Sequence, residues 1–121
     1  MLVVDAANVI GSRPNGWWRD RPGAAKELAS RIQRAVADGT LDAPVLLVLE
    51  GEAKKGVAEG HTDGVQIVHA AGHGDDTLVA VAAQSDTPVV LVSADRELRA
   101  RVQRNGADVV GPNWLLDRLP A

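Results

Sequence analysis

Short runs rich in valine and leucine recur along the chain at Leu2–Asp5, Pro44–Leu49, Val65–His69, Pro88–Val92 and Val109–Val110, with helical stretches between them. Largely apolar runs of this length are the signature of strands buried on both faces. Such strands alternating with helices make βαβ units and a parallel sheet covered on each side. Pro22 suits a first helical turn, where its missing N–H costs nothing. After it, Ala25, Leu28, Ala29, Ile32 and Val36 line one face of an amphipathic helix, and Gly39 supplies its stop. Further helices are expected from Gly74 to about Gln84 and from Asp95 to Asn105, closed by Gly106, with a last turn or two over Asn113–Leu119. The turn-rich stretches Gly11–Pro22 and Gly51–Gly64 read as loops. The expected architecture is a three-layer α/β/α sandwich around a parallel sheet of about five strands, one domain over residues 1–121.

Composition narrows the function classes. Apolar residues at 45% and charged residues at 24% are those of a globular chain. The longest apolar runs, Val45–Leu49 and Leu78–Ala83, fall far short of the roughly 20 residues of a bilayer span. Met1-Leu2-Val3-Val4-Asp5 lacks the basic start of a signal peptide, so a soluble, cytoplasmic protein is expected. The absence of cysteine excludes disulfides and thiolate metal sites. The net charge of −3 argues against a nonspecific coat for nucleic acid, but its distribution is uneven. Residues 1–36 are net basic and residues 37–80 strongly acidic, a layout that suits a polyanion at one place and a cation at another.

In such a sheet, ligands bind at the carboxyl ends of the strands. Asp5 ends the first strand, Glu50 follows the second, Asp75 and Asp76 open the helix after the third, and Asp95 lies just past the fourth. Carboxylates from four chain segments would meet on one edge and repel each other unless neutralised. Hard divalent cations, Mg²⁺ or Mn²⁺, are the natural counterions, and such sites serve phosphoryl-oxygen chemistry. Taken singly, Asp75, Asp76 and Asp95 read equally as helix caps and Glu50 as a solvated loop acid. Asp5 resists that reading, because a bare carboxylate behind three apolar residues is costly without a partner. Asn8 could orient a carboxylate or a phosphate, or simply form an Asx turn. Ser93 could touch a phosphate, support Asp95 or act as a cap.

Three segments carry a family resemblance. Val3-Val4-Asp5-Ala6-Ala7-Asn8-Val9-Ile10-Gly11, Gly74-Asp75-Asp76-Thr77-Leu78 and Val92-Ser93-Ala94-Asp95-Arg96-Glu97-Leu98 resemble, in order and spacing, the NYN branch of PIN-like nuclease domains, in its YacP-like group. The resemblance spans essentially the whole chain, and Gly111-Pro112-Asn113-Trp114-Leu115-Leu116 is similar to the last helix of such domains. It implies an α/β/α fold and Mg²⁺- or Mn²⁺-dependent cleavage of RNA that leaves a 5′-phosphate and a 3′-hydroxyl. It implies metal-binding, catalytic roles for Asp5, Asp76 and Asp95, with Asp75 and Asn8 beside them, and more weakly a ligand role for Glu50. Small PIN-like domains often pair, so it also leaves a homodimer open. One departure is Ala6, where family members usually carry glycine; alanine is expected to tighten the turn that carries Asn8.

Trp17 and Trp18, two of the three aromatic residues, are interleaved with Arg13, Arg19 and Arg21. Indoles that stack on unpaired bases beside guanidiniums that hold phosphates suit single-stranded or loop RNA. The competing reading makes one tryptophan a plug on the first helix and the other a self-association contact. Arg96, next to Asp95, is a further candidate for substrate binding. Three other motifs fail. Val57 stands where a phosphate loop over Gly51–Gly56 needs lysine, His61, His69 and His73 lack zinc-site spacing, and there is no Gly-x-Ser-x-Gly elbow. The sequence therefore points to a metal-dependent ribonuclease. A nucleoside-triphosphate pyrophosphohydrolase on the same acids, or a catalytically weak RNA- or ribosome-binding module, are the alternatives.

Overall fold

The computed structural model describes residues 1–120. Strand β1 (Leu2–Asp5) runs directly into helix α1 (Ala6–Gly11), and a 3₁₀ turn over Trp17–Arg19 leads to α2 (Arg21–Ala37). Strand β2 (Val45–Leu49) and a 3₁₀ turn over Gly51–Gly56 precede the hairpin of β3 (Gly60–Thr62) and β4 (Val65–His69). Helix α3 (Gly74–Gln84), β5 (Val90–Val92), α4 (Arg96–Arg104), β6 (Asp108–Val110) and α5 (Pro112–Leu116) complete the order.

The sheet order is β3-β4-β2-β1-β5-β6, parallel throughout except for β3, which pairs antiparallel with β4. Six strands thus replace the expected five. The extra one is three exposed residues without an apolar face, so hydrophobic patterning does not mark it. Its turn does: Asp63 and Gly64 have positive φ (48° and 86°), the two-residue hairpin that Asp-Gly favours.

Strand alternation divides the core. Leu2, Val4, Val45, Leu47, Leu49, Val65 and Ile67 pack against α1, α2 and α5 through Val9, Leu28, Ile32 and Leu115. Val3, Leu46, Val48 and Leu91 face the other way, against Leu78 and Ala82 of α3 and Leu98 and Val102 of α4. These are the three expected layers. Helix α2 begins as its sequence dictates: Asp20 caps it by accepting from the Gly23 N–H at 2.9 Å, and Pro22 lies in the first turn. The Gly51–Gly56 turn rides directly on that first turn, where a Cβ at Gly56 would collide with the Pro22 carbonyl. Backbone packing therefore explains Gly56, whereas Gly51 has open space around it and a positive φ of 58°. Among the described residues, no helix is long and apolar enough to cross a membrane.

Candidate functional site

Strand order reverses between β1 and β5: the chain leaves β1 toward β2 on one side and leaves β5 toward β6 on the other. Crevices at the carboxyl ends of strands at such a reversal are the ligand sites of open α/β sheets. Asp5 stands on one side of this crevice, and Ser93 and Asp95 stand on the other.

Asp5 does three things. It ends β1, it caps α1 by accepting from the Asn8 N–H through Oδ1 at 3.3 Å, and through Oδ2 it accepts from the Ser93 hydroxyl at 3.0 Å. Ser93 is fully buried, and its Oγ also accepts the Asp95 N–H at 3.1 Å. Asp95 in turn caps α4 through Leu98 N at 3.0 Å. Asn8 Oδ1 accepts the Ala94 N–H at 2.8 Å, a second tie from α1 to the β5–α4 loop. Asp95 therefore both caps a helix and belongs to the edge, and Asn8 braces backbone. The tight entry expected around Ala6 is a helix start, with Ala6 completely buried as the first residue of α1.

The other acids arrive from the β2 side. Glu50, half-buried, accepts the Gly74 N–H through Oε2 at 2.9 Å, which fastens the end of β2 to the start of α3. A Cβ at Gly74 would lie 3.3 Å from that carboxylate, so glycine permits the approach. Asp5 is 6% exposed, and its pKa is pushed up to about 6. Burial is the main cause; the repulsion of Glu50 and Asp75 adds to it, and the Ser93 and Asn8 hydrogen bonds oppose it. Asp75 is also held above the ordinary carboxylate range, by burial first and then by Asp95 and Glu50, while Arg101 pulls it back. At the crevice the acids that act on each other are thus Asp5, Glu50, Asp75 and Asp95, and Glu97 adds its repulsion to Asp75.

Asp76 is not brought into that group. Its side chain is 88% exposed and bound to Arg101 of α4 at 3.1 Å. Helix geometry separates the two neighbours: successive residues point about 100° apart, so one can face the crevice only if the other turns away. Nothing in the local sequence marks Arg101, which reaches α3 only because α3 and α4 pack side by side.

The fit to a divalent cation has two sides. The donors are hard oxygens, and the ion pairs described, Lys55–Glu52 and Arg101–Asp76, leave Asp5, Glu50 and Asp95 uncompensated. Yet among the described residues no group of three His, Asp or Glu side chains is arranged to hold a metal ion. The donor chemistry fits Mg²⁺ or Mn²⁺; a closed coordination shell is not formed.

In the first loop, the two tryptophans meet edge to face, centroids 5.9 Å apart at 88°. Arg19 lies over the Trp18 ring at 5.8 Å and Arg21 over Trp17 at 5.5 Å. Trp18 is 51% exposed, and Trp17 is half-buried against α1. Arg13 and Arg96 are exposed, the former beside a hollow formed with Trp17, Glu27 and Arg31. The histidines do not converge. His69 is engaged with Val57 O at 2.7 Å, His61 sits on exposed β3, and His73 precedes α3 without capping it.

No family model and no curated protein matches the chain. Among solved structures, it superposes on Rae1 (YacP) from Bacillus subtilis with a TM-score of 0.73, covering 96% of this chain and 72% of that one. The chain has the Rae1 fold. The two sequences are 18% identical, so the likeness lies in the path of the backbone.

Proposed function

We propose that the protein is a metal-dependent, PIN-like ribonuclease that cuts single-stranded or loop RNA at the β1/β5 crevice. The observation that carries this reading is the buried Asp5 carboxylate, at a topological switch point and repelled by two further acids without a cationic partner. Evolution does not need such a cluster for stability, and a cation would relieve it. The Rae1-like fold supports a nuclease, and the Trp/Arg loop supports RNA as its substrate.

Asp5, Glu50, Asp75 and Asp95 would hold one or two Mg²⁺ or Mn²⁺ ions, while Asp76 stays on Arg101. When bound, the cations supply water activation and neutralise charge on the phosphoryl oxygens. The chain supplies the rest. Ser93 and Asn8 fix both oxygens of Asp5, Ser93 sets the Asp95 backbone, and the Glu50–Gly74 bond sets the height of α3. Arg19, Arg21 and Arg13 would draw the phosphate backbone toward the edge, with Arg96 at the opposite side of the crevice. Cleavage there would leave a 5′-phosphate and a 3′-hydroxyl.

The test is incubation with a labelled single-stranded RNA and, separately, a nucleoside triphosphate, each with Mn²⁺, Mg²⁺ or chelator, beside D5N. Metal-dependent RNA cleavage that D5N lacks is the expected result. Triphosphate hydrolysis alone would replace RNA by a nucleotide as substrate. The open coordination shell favours one other reading, an RNA-binding module with weak catalysis, which RNA binding without cleavage would establish.

A further inference from the structure

Beside the acid edge lies a hollow of about 260 Å³. Ala7 and Ile10 of α1, Ala53 of the turn after β2 and Trp17 line it together with Arg21 and the carboxylates Glu50 and Glu52. Its size is near the lower end of small-molecule sites, room for one heterocycle and not for a base pair. The apolar and aromatic lining suits a flat ring, and the Arg21 guanidinium beside Trp17 suits an anionic group attached to that ring. Glu50 belongs to this hollow and to the acid cluster, so a ring seated in the hollow lies directly beside the acid edge.

We infer that this hollow is a subsite for one unpaired nucleobase, stacked against Trp17, which sets a strand's register on the acid edge. The inference rests on the nuclease reading for the role of the site, but base binding itself needs no metal. It assigns the stacking to Trp17, whereas exposure alone favours Trp18. Stacking of one base contributes about 1–3 kcal/mol, so losing it weakens binding between about 5- and 150-fold.

The experiment titrates the whole protein, in chelator, with adenosine monophosphate and with inorganic phosphate, and follows tryptophan fluorescence; W17L, W18L and A7F, which fills the hollow from an exposed helix position, are run alongside. Circular dichroism checks that each variant is folded. Quenching by the nucleotide and not by phosphate, kept in W18L and weakened at least about fivefold in W17L and A7F, is expected. Quenching kept in A7F, or lost only in W18L, overturns the assignment. Quenching by phosphate alone also overturns it, as an anion site. RNA cleavage is measured on the same samples with Mn²⁺. Cleavage without base quenching defeats the subsite and spares the nuclease, and base quenching without cleavage does the reverse.

Discussion

The Ser93 hydroxyl donates to Asp5 Oδ2 at 3.0 Å, joining the ends of two neighbouring strands whose residues are 88 positions apart in sequence. The same oxygen accepts the Asp95 N–H at 3.1 Å, so one buried hydroxyl positions two of the acids at the crevice. S93A leaves a buried carboxylate oxygen and a backbone N–H without their partner. It should cost about 1–3 kcal/mol in urea denaturation and raise the Asp5 pKa further. S93T, which keeps the hydroxyl, should recover Mn²⁺-dependent activity more than stability, because its extra methyl must fit a fully buried position.

D5N separates stability from function. The folded-state pKa of Asp5 is about 6, against 3.8 for an ordinary aspartate side chain. Between these values the folded state holds the proton more tightly. Stability in chelator therefore falls as pH rises from about 4 through 6, and an ionised Asp5 costs roughly 3 kcal/mol above that window. Asparagine keeps an acceptor for Asn8 and removes the charge. D5N should melt at or above the wild-type temperature at pH 7.5, with a flatter pH dependence, while losing RNA cleavage. A melting temperature well below wild type at pH 7.5 would contradict the buried, unpaired carboxylate.

Cation binding gives a readout independent of catalysis. A ligand that binds only the folded state stabilises it by RT ln(1 + [L]/Kd), about 2.7 kcal/mol at a hundredfold excess over Kd. Mn²⁺ should therefore raise the wild-type melting temperature at pH 7.5, less at pH 5, where Asp5 is protonated, and not in D5N.

Asp75 and Asp76 should behave differently. D75N removes a member of the mutually repelling group and is expected to lower cleavage by about 100-fold. D76N removes an exposed bond to Arg101 worth at most about 1 kcal/mol, and cleavage should fall less than tenfold. Equal losses, with equal losses of Mn²⁺ affinity, would mean that Asp76 leaves Arg101 for the cation.

G56A tests the close approach of the second 3₁₀ turn to α2. The methyl would collide with the Pro22 carbonyl, so the turn must shift. A loss of about 2 kcal/mol or more in chemical denaturation is expected, against a few tenths for alanine at open Gly72.

The sequence by itself determined the layers and the edge. Val45–Leu49, Val90–Val92 and their helical partners can be buried only in a covered parallel sheet, and that sheet necessarily brings Asp5, Glu50, Asp75 and Asp95 to one end. Helix α1 escaped it because six residues are too few for helical periodicity to register. Strand β3 escaped it because its residues bury nothing, although Asp63-Gly64 marked the turn. Only the tertiary structure decided which acids face one another. That choice depends on the rotation of α3 about its axis, set by Leu78 and Ala82 against the sheet and by Arg101 arriving from α4. It likewise made Ser93 the brace of Asp5 and Trp17 a wall beside Glu50. Contacts between segments 25 to 88 residues apart arise from packing and leave no local pattern in the chain.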